Sequence, residues 1–468
     1  MSTQLRKALI SVALIFIVSI AGLAFYLTQS GTARTVSAYK AKILCSEVFV
    51  AKREASIVRA DEFNDIHPIL AAVGTRIDHS ANIVTASLFG LGRATAVHQA
   101  GSGCTVLPSN TDADIAYIGY QYGVLADGQP ANWNTAFADQ PHPGVDYQRL
   151  QDTFTGAAAD KDAGHRALLV AVDGKLVGEW YAEGFSRETP FLSWSMAKSV
   201  TATLIGAAVQ DGLLAIDQPL GLAQWEKDDR RALTWSHLLH MQSGLAFDED
   251  YASAKSDVNR MLFSAASAGG VAALAPLAYP VGTHWSYSSG TSNILAMALA
   301  ANIAATGQSL SDYADEKLFT PLGISDATME RDAAGNFIGS SYLYASARSW
   351  LRLGDLYLNN GQWQGKRLLP AGWTDYVATP TAQSDNQYGA HFWLNREGRP
   401  DPQTGAKRPR FFPALPEDTY FFSGHDGQYV IIIPQQKMVI VRLGLTRTPD
   451  PLARVAPTIA SLYASVAR

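Results

Sequence analysis

Between Ala8 and Leu27 the chain reads ALISVALIFIVSIAGLAFYL, twenty residues with no charge and two serines. At about 1.5 Å of rise per residue this makes roughly 30 Å of helix, the thickness of a bilayer core. Such a run must sit in lipid, be removed, or be buried in a large core. Arg6 and Lys7 precede it and no charge follows before Arg34. Cations concentrate on the cytoplasmic side, so this asymmetry keeps the short N-terminus inside and sends the rest outward. Arg34, Lys40 and Lys42 on the far side weaken the asymmetry. A cleaved signal peptide is the second reading, although its apolar core spans about 7–15 residues. Gly31-Thr32-Ala33 is also a poor cleavage site. A core helix is the third reading, and wholly apolar helices seldom serve so at an extreme N-terminus. Residues 1–34 are therefore read as a membrane anchor or signal. The anchor implies an inner-membrane protein whose bulk faces the periplasm; cleavage would make it secreted.

Export gives the two cysteines a meaning. Cys45 and Cys104 are the only pair the chain contains, and an oxidising compartment favours a disulfide between them. Two independent buried thiols are the alternative, since spacing alone cannot bring two backbones within bonding distance.

The length of 468 residues sets a prior of roughly three domains. With 47% hydrophobic and 17% charged residues the chain is neither disordered nor a small disulfide scaffold. A net charge of −5 gives no global attraction to nucleic acid. From Thr35 to about Thr135 the pattern is mixed. Phe63 to Ala72 suggests a short helix, and Ile83 to Phe89 and Thr95 to Gln99 suggest short strands. A loop with Pro130, Pro141 and Pro143 marks a boundary. The expected divisions are 1–34, a small N-terminal region and linker over 35–144, and one larger domain over 145–468.

Regular structure is clearer from Val145. Strands are expected over Ala167 to Val172 and Lys175 to Tyr181, joined by Asp173-Gly174, because both positions of such a two-residue turn need φ > 0. Ala197 to Asp211 has helical spacing and a stop at Gly212. Helices are further expected over Trp235 to Met241, Asn293 to Ala305 and Ala345 to Asn359. Strands Tyr429 to Ile433 and Met438 to Leu443 follow, then a helix from Pro457 to Val466 with proline in its first turn. Strands at both ends with helices between them imply an α+β layer fold.

Several catalytic signatures are missing. The chain has no Gly-x-Ser-x-Gly elbow, no His-Glu-x-x-His and no phosphate-binding Gly-x-x-x-x-Gly-Lys loop. His237 and His240 share a helical face, with no third ligand evident. What remains is Ser195-Met196-Ala197-Lys198 at the head of an apolar helix. At i and i+3 the two side chains share a face, so the amine can reach the hydroxyl that it must deprotonate. Lysine acts as a base near neutrality only if burial or nearby positive charge lowers its pKa from about 10.4. Spacing alone is weak, since Ser37-Ala38-Tyr39-Lys40 repeats it beyond the apolar run. The Ser195 copy is distinguished by two later motifs, Tyr287-Ser288-Ser289-Gly290 and His425-Asp426-Gly427. A phenol beside a lysine can relay protons, with its pKa lowered by the ammonium. Gly427 would let substrate approach a strand. The backbone N–H groups of Ser195 and Gln428 would then form an oxyanion hole.

In this order the three motifs resemble the serine β-lactamase and penicillin-binding protein superfamily, and most nearly its class C-like branch of esterases and 6-aminohexanoate-dimer hydrolase. The resemblance runs from about Val145 to the C-terminus. It is supported by Leu233-Thr234-Trp235-Ser236-His237-Leu238-Leu239, Met241-Gln242-Ser243-Gly244-Leu245 and Ser340-Ser341-Tyr342-Leu343-Tyr344-Ala345. It implies a β-lactamase/transpeptidase-like fold, an antiparallel sheet flanked by helices with a helical subdomain. It also implies Ser195 as acylated nucleophile, Lys198 as its base partner and Tyr287 as second proton-transfer group. Cys45 to Val50 looks like the leader of exported members, with Gly103-Cys104-Thr105 as its partner.

Two departures bear on substrate. Ser289 stands where class C enzymes have asparagine, and His425-Asp426-Gly427 replaces Lys-Thr-Gly. A mostly neutral histidine offers a substrate carboxylate less than lysine does. Short esters or amides therefore fit better than β-lactams, with Ser289, His425, Gly427, His391 and Trp393 expected around the substrate. No metal or organic cofactor is implied, no nucleic-acid partner is expected, and the sequence gives no oligomeric state. A hydrolase working through an acyl-enzyme is the first expectation. A non-catalytic envelope sensor on the same fold, a β-lactamase and a D-alanyl-D-alanine peptidase are the alternatives.

Overall fold

The computed structural model describes residues 3–108 and 141–466; Pro130 of the expected boundary loop lies outside them. The apolar run forms helix α1, Thr3–Gln29, exposed along its length. Leu27 near its end packs against the core of the rest of the protein. Gly31, with φ 75°, turns the chain into α2, Thr32–Phe49. This helix is buried on nearly every side, and Lys40 and Lys42 are buried with it. They are therefore not the juxtamembrane surface charges that the sequence suggested.

After α3 (Ala55–Asp61), strands β1 (Val73–Asp78), β2 (Ile83–Leu88), β3 (Leu91–Gln99) and β4 (Gly103–Val106) form an antiparallel sheet in sequence order against α2. The helix expected over Phe63 to Ala72 is displaced. Asp65 adopts φ 58°, and Pro68 with the His67 cap permits only a 3-10 turn over Pro68–Ala72. Cys45 and Cys104 are bonded, tying α2 to β4.

The larger part begins with α4 (Tyr147–Ala159), β5 (His165–Val172) and β6 (Lys175–Tyr181). Asp173 and Gly174 adopt φ 49° and 70°, the turn that Asp-Gly favours. Strand β7 (Pro190–Leu192) leads into α5 (Met196–Gln210). A helical region follows: α6 (Trp235–Leu239), α7 (Asp257–Phe263), α8 (Ala268–Ala272), α9 (Ser289–Ala304) and α10 (Leu310–Ala314). Then come β8 (Thr328–Met329), β9 (Leu343–Ser346), α11 (Ala347–Leu358), the small hairpin β10 (Gln362–Trp363) and β11 (Lys366–Arg367), and α12 (Trp373–Val377). The chain closes with β12 (Trp393–Leu394), β13 (Tyr420–Gly424), β14 (Gln428–Ile433), β15 (Met438–Gly444) and α13 (Pro451–Ala464).

The main sheet is antiparallel, in the order β12-β13-β14-β15-β5-β6, so the first strands of this region pair with its last. Alternation sorts its residues. Leu168, Val170, Ile431, Ile433 and Ile440 pack against Phe154 of α4 and Ile459 and Leu462 of α13. Leu169, Val430, Ile432, Val439 and Val441 face the core that contains α5 and α11. Two helical layers thus enclose the sheet, as the α+β expectation required. The last helix starts at Pro451 under the Asp450 cap, and Pro457 lies inside it on the exposed face. Pro457 was expected in the first turn; on the solvent side the helix tolerates its missing N–H.

Candidate active site

Ser195 stands at the head of α5, and the turn before it is held from outside. Ser193 N–H donates to Leu343 O (2.8 Å), and Leu343 N–H donates to Ser193 Oγ (3.0 Å), which pins the turn to β9. Trp194 adopts φ 45°, a left-handed conformation that costs a bulky residue of order 1–3 kcal/mol. An N-cap serine ordinarily spends its hydroxyl on the first helical amides. Ser195 makes no such bond. Its Oγ instead lies 3.2 Å from Lys198 Nζ.

Lys198 is buried, and its ammonium has neutral oxygens around it: Ser195 Oγ, Ser289 Oγ (3.1 Å) and Ser340 O (2.9 Å). Burial lowers its pKa to about 8, against the opposing charge of Glu249. Tyr287 hydrogen-bonds Ser195, and Lys198 Nζ sits 4.9 Å from the centre of its ring. The ammonium was expected to lower the phenol's pKa. The direction is the reverse, because burial of the hydroxyl dominates and raises it. The cation lies over the ring face.

Ser289, the first residue of α9, completes the group. Glu249 receives its N–H (2.8 Å) and its hydroxyl (2.5 Å), a carboxylate at a helix N-terminus. Tyr251 OH lies 3.2 Å from Ser289 Oγ and donates to Glu249 Oε1 (3.1 Å). Asn293 of α9 fixes Ser340 by a pair of bonds, and through Ser340 O it sets the seat of Lys198. Sequence reasoning missed Glu249 and Tyr251. They lie in Asp248-Glu249-Asp250-Tyr251, which reads as a solvated acidic loop; its only signal is its place just after the Met241–Leu245 stretch.

The third motif is arranged differently from the expectation. His425 is 65% exposed, and its ring meets Trp194 edge-on at 5.6 Å. Asp426 is buried, its Oδ1 between His425 Nε2 (3.3 Å) and Arg447 Nη1 (3.2 Å), so its charge is shared between them. Gly427 does not open the strand to substrate. A Cβ there would lie 2.7 Å from the Arg442 guanidinium, which takes the carbonyls of Asp426 and Gly427. The glycine against the Ser195 turn is Gly424, where a Cβ would lie 2.3 Å from Ser193 O. Gln428 closes the hairpin opposite Gly424, and its side-chain amide is occupied by Gly444.

His391 does not line an open pocket. It is buried, donates from Nδ1 to Leu239 O (2.7 Å) and meets Ser292 Oγ at Nε2 (2.9 Å). Burial lowers its pKa to about 3, so it is a neutral strut between α6 and α9. Trp393 does reach the site, 5.5 Å from the Tyr287 ring. His237 caps α6 with Thr234, and His240 bonds Thr381, with no shared point between them. In the second Ser-x-x-Lys, Lys40 Nζ turns to Leu70 O (2.7 Å) and Val73 O (3.0 Å). Identical spacing therefore yields an amine–hydroxyl contact at one helix and a lysine turned to backbone carbonyls at the other.

Comparison with known proteins agrees with this architecture. The family model described as Beta-lactamase matches residues 150–464. A 6-aminohexanoate-dimer hydrolase of Paenarthrobacter ureafaciens is 26% identical over 324 residues, 65% of this chain and 76% of that protein. Among solved structures, a penicillin-binding protein homologue from Caulobacter crescentus superposes with a TM-score of 0.52 at 17% identity, covering 68% of this chain and 97% of the other. A family VIII carboxylesterase does so with a TM-score of 0.50 at 14% identity, covering 70% and 99%. At these identities the structures establish the fold alone.

Proposed function

Because the chain belongs to the Beta-lactamase family, we propose that it is a serine hydrolase that cleaves esters or amides through an acyl-enzyme on Ser195. The observation that carries this reading is the buried Lys198 amine 3.2 Å from a Ser195 hydroxyl released from capping. In the first half-reaction the neutral amine takes the Ser195 proton as Oγ attacks the carbonyl. Tyr287, a neutral phenol at rest, passes its proton to the leaving alcohol or amine and regains one from the Lys198 ammonium, which returns both groups to their starting forms. The amides of Met196 and Ala197 are committed to Ser193 O and Trp194 O. Ser195 N–H is then the amide of this turn offered to the oxyanion, with the β13 end at Gly424 and His425 facing it as the second wall. Water repeats the sequence in reverse to release the acyl group.

Glu249 bears on the substrate. A carboxylate bridged to Lys198 by the Ser289 hydroxyl disfavours anionic ligands, and the third motif offers no lysine to offset it. Neutral esters and amides fit this field better than β-lactam carboxylates. We further read α1 as a membrane anchor that holds the catalytic part outside the cytoplasm, where the Cys45–Cys104 bond is stable.

The deciding experiment is labelling of the full-length protein with a fluorophosphonate. Wild type should be labelled and Ser195→Ala should not. Equal labelling, or none, refutes the hydrolase reading. Nitrocefin should be turned over far more slowly than p-nitrophenyl acetate; faster nitrocefin turnover would place the protein with the β-lactamases.

A further inference from the structure

No spacer separates the apolar helix from the folded body. The apolar run ends at Leu27, and Leu27 already packs on that body. If α1 spans a bilayer, the surface around its foot lies at headgroup level. Two features share that surface. The first is the β2–β3 hairpin. Gly92 of β3 is pressed on Ala33, so closely that a Cβ would lie 2.3 Å from its carbonyl carbon. The hairpin tip presents Phe89, 80% exposed with φ 51°, and Arg93 is exposed beside it. An aromatic side chain projected from a tip with a neighbouring cation suits the headgroup zone. The second is the loop of the candidate site. Thr35 hydrogen-bonds Ala254 O (3.4 Å), and Gly31 lies against the same carbonyl. Ala254 is three residues from Tyr251, at most about 11 Å along the chain. The Tyr251 ring is 55% exposed while its hydroxyl reaches Ser289. One wall of the site is therefore tied to the first turn of α2, directly after the apolar helix.

We propose that the site opens at the bilayer surface and takes membrane-held amphiphiles, esters or amides of long acyl chains, with the Phe89 hairpin as a second lipid contact. The inference rests on the serine-hydrolase reading and on α1 as an anchor. It goes beyond both in naming where the substrate is held.

The test uses the full chain in phosphatidylcholine vesicles. Inserting about twenty Gly/Ser residues between Gln29 and Ser30 lifts the body by roughly 25 Å without touching the site. Turnover of vesicle-held p-nitrophenyl palmitate should fall at least about tenfold, while p-nitrophenyl acetate stays within about twofold. Palmitate turnover unchanged by the spacer, or absent in a wild type that cleaves acetate, overturns the inference and leaves the hydrolase reading standing. Absence of acetate turnover together with absence of fluorophosphonate labelling overturns both. An independent readout needs no catalysis. Both native cysteines are bonded, so Phe89→Cys provides a unique thiol for an environment-sensitive dye. Its emission should shift to the blue on vesicles, whereas a dye at Lys437→Cys, beyond the far end of β14, should not shift. Identical spectra at the two positions count against the lipid contact.

Discussion

The pH dependence of acylation tests the proposed mechanism most directly. Lys198 has a pKa of about 8, with burial as the larger cause and the Glu249 charge opposing it. The base is the neutral amine. At pH 7 about a tenth of the molecules carry it, at pH 8 half, and at pH 9 about nine-tenths. The kcat/KM for p-nitrophenyl acetate should therefore rise about tenfold from pH 7 to pH 9, with unit slope on the acid side. Tyr287 is held as a neutral phenol well above this range and contributes no descending limb there. Glu249→Gln isolates the contribution of the carboxylate. Its carboxylate favours the ammonium and raises the lysine pKa, so its removal lowers that pKa further and moves the ascending limb to more acid pH. Stopped-flow release of p-nitrophenol between pH 5.5 and 9.5 would show both effects. A flat wild-type profile, or a Glu249→Gln limb moved to higher pH, would refute Lys198 as the general base.

Two further outcomes follow from packing. Gly424→Ala sets a methyl against Ser193 O, where the clear distance is 2.3 Å; the β13 end must retreat, and fluorophosphonate labelling should slow by about tenfold or more with the circular dichroism spectrum unchanged. Replacing both Cys45 and Cys104 with alanine releases a loop with a sequence separation of 59 and should lower stability to denaturant by up to about 4 kcal/mol, read from the urea midpoint.

What the sequence reveals of this protein follows the range of each interaction. The Ser195–Lys198 contact is local, one helical turn, and the periodicity of α5 predicts it. The Asp173-Gly174 hairpin is legible for the same reason. Glu249 and Tyr251 arrive at Ser289 from a loop some forty residues away, and no local pattern marks an acidic tetrapeptide as a wall of the site. Glycines stand at 424 and 427, on either side of His425-Asp426, and composition cannot say which faces the Ser195 turn. The tight 425–427 turn decides it by setting Gly424 on Ser193 and Gly427 on Arg442. His391 is expected at the pocket because its stretch precedes the third motif, a cue of chain order and not of contact. Its two ring nitrogens are instead consumed by Leu239 and Ser292. Lys40 and Lys42 resembled flanking charges because nothing in the sequence marks α2 as an interior helix.

The burial of Lys42 has a consequence for how this chain can be cut and recombined. Lys42 pairs with Glu330, whose carboxylate also accepts from Ser46 Oγ (2.8 Å) and Cys104 N–H (2.7 Å). These donors all come from the segment before residue 109, whereas Glu330 lies deep in the family-matched part. An excised fragment that begins at α4 would lose these three partners and open the Glu330 carboxylate, with the surface that Gly103 is pressed against, to water. The two regions are thus interlocked like a keystone and its arch, so that a leader grafted onto the family-matched part would have to bring donors of its own to the Glu330 carboxylate.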